Sequence, residues 1–83
     1  MLRRYVKMAE TERVVNSTGI SLTVNGVRKL YWGPELLTYR RRKVKIRFEP
    51  KNLEQIQVYD PDTGEFVVEA PVLSYEVVEV IRR

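Results

Sequence analysis

Turn signals recur so often in this chain that most of the apolar segments between them read as short strands. Asn25-Gly26, Gly33-Pro34, Pro50-Lys51-Asn52 and Asp60-Pro61-Asp62-Thr63-Gly64 punctuate the sequence. Several short strands set off by such turns are the pattern of all-β sandwiches and barrels. Asn25-Gly26 is the strongest of these signals, because both residues tolerate the positive φ that a two-residue hairpin requires. It separates Ile20, Leu22 and Val24, which alternate with Ser21 and Thr23, from a returning strand over Val27 to Trp32. Lys43 to Phe48 is the clearest strand: Val44, Ile46 and Phe48 face one way, and Lys43, Lys45 and Arg47 the other.

The remaining elements follow from weaker signals. Val14-Val15 begins a short strand, Pro34-Glu35-Leu36-Leu37 forms one helical turn with proline first, and Ile56 to Tyr59 and Glu65 to Ala70 are strands, the latter ended by Pro71. Residues 1–12 read as a linker or N-terminal extension, 13–71 as the β domain and 72–83 as a C-terminal extension. In that extension Val77, Val78, Val80 and Ile81 favour a strand. Ser74 as a cap, Glu76 in a first turn and Arg82-Arg83 at the end favour a helix, which we prefer. The expected fold is all-β: a small closed or partly open antiparallel barrel of five to six strands. Closure hides the strand edges that invite aggregation.

At 83 residues the chain is one small domain, and with no cysteine and no histidine it lacks disulfides, thiolate or imidazole zinc ligands and His-based nucleophile activation. No segment approaches the roughly 20 apolar residues of a membrane-spanning helix, and no signal peptide opens the chain, so the expectation is a soluble intracellular protein with no membrane partner. Charge is unevenly placed. Residues 1–48 carry a net +9, residues 49–79 a net −7, and Arg82-Arg83 restore the total of +4. A basic face for a polyanion accounts for this, and so do salt-bridged neighbouring strands.

The ordered set Gly19-Ile20-Ser21-Leu22, Asn25-Gly26, Tyr31-Trp32-Gly33-Pro34-Glu35-Leu36, Lys43-Val44-Lys45-Ile46-Arg47-Phe48-Glu49-Pro50, Asn52-Leu53, Ile56-Gln57-Val58-Tyr59-Asp60, Gly64 and Glu69-Ala70 resembles the C-terminal β-barrel domain of Mu-type phage and bacterial transposases. The resemblance implies a non-catalytic accessory barrel that follows a ribonuclease-H-type core bearing the acidic triad. Such a barrel contacts double-stranded DNA with little sequence preference and helps assemble the multi-subunit complex. It further implies no cofactor in this domain, other transposase subunits or domains as partners, and a cytoplasmic, nucleoid-associated setting in a bacterium or its phage.

The candidate DNA-binding residues are Arg40, Arg41, Arg42, Lys43, Lys45 and Arg47, widened by Arg28 and Lys29 on a strand expected beside them. Alternate residues of a strand lie about 6.8 Å apart, comparable to two base-pair rises of a duplex. Arg40 and Arg42 share the inward parity of Val44, which puts them in the loop before the strand, free to reach a phosphate. Reversing Lys43, Lys45 and Arg47 to Glu is expected to abolish binding and leave folding nearly intact. Trp32, Phe48 and Phe66 read as core, and Tyr39, beside the arginines, as the one aromatic kept for DNA. Asp60-x-Asp62-x-Gly64 fails the calcium-loop spacing and reads as a β-turn. The acidic half is expected to face away from DNA or toward a basic surface on another subunit. The rival reading is a docking barrel for another transposase subunit or a regulatory ATPase. An RNA-binding barrel needs exposed aromatics, and a metal-dependent nuclease needs clustered carboxylates in a pocket.

Overall fold

A computed structural model describes residues 8–77. Six strands, β1 (Ala9–Val14), β2 (Ile20–Val24), β3 (Val27–Tyr31), β4 (Lys43–Glu49), β5 (Asn52–Tyr59) and β6 (Phe66–Val77), form one antiparallel sheet in the order β1-β4-β5-β6-β3-β2. A 3-10 helix over Pro34–Tyr39 lies between β3 and β4. The sheet curls so that its two end strands meet, giving a nearly closed barrel. The meeting point is the turn from Asn16 to Gly19, closed by reciprocal backbone bonds of 2.8 and 3.1 Å. Gly19 is required there: its φ is +123°, and a Cβ would run into the carbonyl oxygen of Tyr31.

Alternation decides which side chains fill the barrel. Val44, Ile46 and Phe48 point inward from β4 and meet Ile56 and Val58 of β5, Ile20 and Leu22 of β2, and Ala70 of β6. Each of the Val, Leu, Ile and Phe side chains contributes about 1.5–3 kcal/mol on burial, which a domain of this size needs. Tyr31 is fully buried, and its hydroxyl donates to the carbonyl oxygen of Leu53 at 2.7 Å, so burying the phenol strands no polar group. The Asn25-Gly26 turn has φ of +54° and +77°, the type I′ geometry of a two-residue hairpin. Pro34 opens the helix, and Leu36 drops into the core.

Three segments differ from the sequence expectation. β1 begins at Ala9, inside the stretch read as a linker. Its alternation is between Glu10 and Glu12 on one side and Ala9, Thr11 and Arg13 on the other, a pattern of charge rather than of hydrophobicity. Pro71 does not end β6. Its carbonyl accepts from the Trp32 amide at 3.3 Å, so its nitrogen also points toward β3 and the ladder to β5 loses no donor. At that residue β6 changes partner, pairing with β5 up to Pro71 and with β3 from Val72. Ser74–Val77 is therefore strand and not the start of a helix; the rest of that expected helix, residues 78–83, lies outside the described residues.

Candidate nucleic-acid interface

The cations of β4 stand outward, as their alternation requires, with Lys43 and Arg47 exposed and Lys45 half-buried. The strand beside them is β1, whose register sets Glu12 opposite Lys45 and Glu10 opposite Arg47. The side chains reach both across and along the strands. Glu12 meets Lys43 at 3.8 Å, and Glu10 meets Lys45 at 3.3 Å and Arg47 at 3.8 Å. Exposed pairs of this kind are worth about 0–1 kcal/mol each, so they bias the side chains without locking them. The basic ladder thus carries its own counter-charges, and they come from the basic half of the sequence. Glu10 and Glu12 were not singled out by sequence reasoning; the signal was their two-residue spacing on an unrecognised strand.

Before β4 the chain makes a tight basic corner. Arg41 has φ +65°, which stops β4 from extending backward and removes Arg41 from the outward row of Lys43, Lys45 and Arg47. Backbone bonds tie this corner to the end of β1: Arg41 N–H donates to Val15 O at 2.7 Å, and Val15 N–H to Arg42 O at 3.0 Å. Arg42 lies over the Tyr39 ring at 5.1 Å and pairs with Asp62 at 3.6 Å. Arg40 and Arg41 are exposed, with no side-chain hydrogen bond, ion pair or ring contact among the described residues.

The turn that follows β5 braces this corner. Tyr39 Oη donates to Asp60 Oδ2 at 2.7 Å, while Asp60 Oδ1 accepts the amides of Asp62 and Thr63 at 2.8 and 3.0 Å. The Tyr39 hydroxyl, the two amides and the charge of Arg42 hold the Asp60 carboxyl below its ordinary range. The same bond to Asp60, with burial behind it, pushes the Tyr39 phenol up. Asp60 is thereby committed to a β-turn, as its spacing suggested. The acidic half does not face wholly away from the basic one, since Asp60 and Asp62 sit against Tyr39 and Arg42.

Other expected site residues lie elsewhere. Arg28 and Lys29 are on β3, which β5 and β6 separate from β4, so they do not widen the β4 patch. Lys29 sits over Tyr75 at 5.1 Å. Phe48 is core, but Phe66 is 57% exposed and packs edge-on to Tyr59 at 5.7 Å, and Trp32 is half-buried. Phe66 follows the turn at the start of β6, where outward and inward positions pass through a register shift between Val58 and Tyr59. Among the described residues no group of three or more Asp or Glu side chains is placed to hold a metal ion.

A nearly closed six-stranded barrel that carries cations on one outward ladder and at one corner belongs among small all-β domains. The sequence matches the family described as Mu transposase, C-terminal, over residues 4–69, and the chain belongs to that family. Its domain is an accessory region of transposases and not their catalytic domain. No curated protein and no solved structure matches the chain.

Proposed function

We propose that this domain holds double-stranded DNA through its phosphates, with little sequence preference, and thereby helps assemble a transposition complex whose chemistry another domain performs. The observation that carries this reading is the corner at Arg40 and Arg41: two exposed guanidinium groups, unpaired among the described residues, on a backbone tied to β1. Lys43, Lys45 and Arg47 continue the basic surface along β4. Among the described residues the helical content is the 3-10 helix Pro34–Tyr39, too short to serve as a recognition helix in a major groove, which favours backbone contact over base readout. In this reading the domain needs no cofactor and works at the nucleoid of a bacterium or phage-infected cell.

The test is fluorescence anisotropy on a random-sequence duplex across a salt series. Four or five phosphate contacts give a slope of log K against log salt of about −4. Replacing Lys43, Lys45 and Arg47 by Glu is a poor control, since it places carboxylates opposite Glu10 and Glu12 and costs folding stability. Gln at these three positions, combined with Arg40→Ala and Arg41→Gly, removes the contacts without that repulsion and is expected to abolish binding. Undiminished binding by this variant at low salt overturns the proposal. The second reading, docking to another transposase subunit, draws on exposed Phe66, Leu73 and Tyr75. It is favoured by a duplex that shows no binding at low salt.

A further inference from the structure

We infer that Glu10 and Glu12 are exchangeable counter-anions that DNA phosphates displace, and that they restrict the β4 ladder to ligands presenting several phosphates at once. The inference rests on the proposed DNA-binding role and concerns which polyanions the surface accepts.

The geometry supports competition between carboxylate and phosphate. Three cations share two carboxylates, and Glu10 alone serves both Lys45 and Arg47. All three contacts lie between 3.3 and 3.8 Å, longer than a tight charge-assisted hydrogen bond. All the side chains involved are about half exposed, so either partner is free to swing into solvent. The β1–β4 register keeps Glu10 and Glu12 beside these cations whatever the ligand. A phosphate that contacts Lys45 therefore comes close to Glu10, and the two anions repel. One isolated phosphate would only trade one anionic partner for another. A duplex differs, because Arg40 and Arg41 have no carboxylate to give up among the described residues and can take hold first. Phosphates further along the backbone are then presented to Lys43, Lys45 and Arg47 at high effective concentration. The carboxylates thus set a threshold that a polymer passes and a lone phosphate does not.

The experiment compares E10Q/E12Q with E35Q/E54Q, which removes the same charge from two exposed carboxylates outside the β1–β4 ladder. Both are titrated against a 20-base-pair duplex at low salt, with urea midpoints confirming folding. Three exposed pairs of ordinary strength together correspond to roughly tenfold, so E10Q/E12Q is expected to bind about tenfold tighter than the parent and E35Q/E54Q less than about threefold tighter. The gain is expected to vanish when Lys43, Lys45 and Arg47 are also replaced by Gln. Inorganic phosphate is expected to compete poorly against the parent and better against E10Q/E12Q. Equal gains for the two double variants, or a gain that survives loss of the three cations, overturns the inference while parental binding keeps the DNA role intact. Absence of duplex binding by every protein at low salt overturns both.

Discussion

The Tyr39 hydroxyl donates to Asp60 Oδ2 at 2.7 Å, joining residues twenty-one positions apart and fastening the end of the 3-10 helix to the turn between β5 and β6. The basic corner is consequently held at both flanks, by Val15 just past the end of β1 and by this turn. Tyr39→Phe removes the donor and leaves the ring under Arg42. Loosening one long side chain at an interface costs about two- to tenfold in affinity, which is the weakening of duplex binding expected for this variant. Only a small drop in thermal midpoint is expected, because the bond is no more than part-buried and water replaces it in part. Anisotropy and thermal melts read the two effects separately.

The same bond fixes how stability responds to acid. Asp60 titrates below its unfolded value of about 3.9, so its contribution is fully present above that pH and is lost as pH falls through the folded value. Asp60→Asn is expected to flatten this acid limb in urea midpoints measured from pH 5 to pH 2. At the alkaline end burial pushes Tyr31 up to about 12. Its contribution is complete below the unfolded value of about 10 and is lost as pH rises from there toward 12. Tyr31→Phe is expected to lower the midpoint at neutral pH and to reduce the alkaline loss.

Arg41 separates binding from folding. Its φ of +65° is unfavourable for any residue with a Cβ, by about 1–2 kcal/mol. Arg41→Gly is expected to leave stability unchanged or raise it by up to about 1 kcal/mol, since glycine's greater unfolded-state entropy offsets part of the relief. Duplex affinity is expected to fall, and the salt slope to become shallower by about one, as for loss of a single phosphate contact. A denaturant melt and a salt series on the same preparation check the pair of outcomes.

Gly19→Ala tests the closure of the barrel. The new methyl meets the Tyr31 carbonyl oxygen on a backbone already at φ +123°, in the corner that brings β1 and β2 together. A loss of about 2–3 kcal/mol is expected from this combination of strain and collision, measured by urea denaturation. Gly64→Ala is the internal comparison: its φ is +77° but a methyl there meets nothing, so a smaller loss is expected.

What was legible in the sequence is what alternation and turn chemistry encode locally. Val44, Ile46 and Phe48 declared their inward face, and Asn25-Gly26 declared its hairpin, because each depends on neighbours one or two residues away. β1 was hidden because a strand whose inward positions are Ala9, Thr11 and Arg13 shows no apolar period. It is a strand because β4 pairs with it. The partners of the β4 cations were hidden for the same reason, since Glu10 and Glu12 gain meaning only once β1 is placed beside them. Phe66 looked apolar enough for the core, yet its exposure is set by where β6 starts after the turn. Arg40 and Arg42 were readable as a loop from their parity, whereas Arg41 shares the outward parity of Lys43 and leaves the strand only through its positive φ, and the brace from Tyr39 and Asp60 spans a distance no local pattern reports.

Proline at position 71 also makes the sheet self-checking. Sliding β6 by a single residue against β5 would turn the ring nitrogen toward that neighbour, where an amide hydrogen is needed and none exists. The misaligned pairing would lose a bond at the place where β6 passes from one partner to the other. The residue that seems least suited to a long strand therefore selects one alignment from those the alternating side chains would otherwise allow.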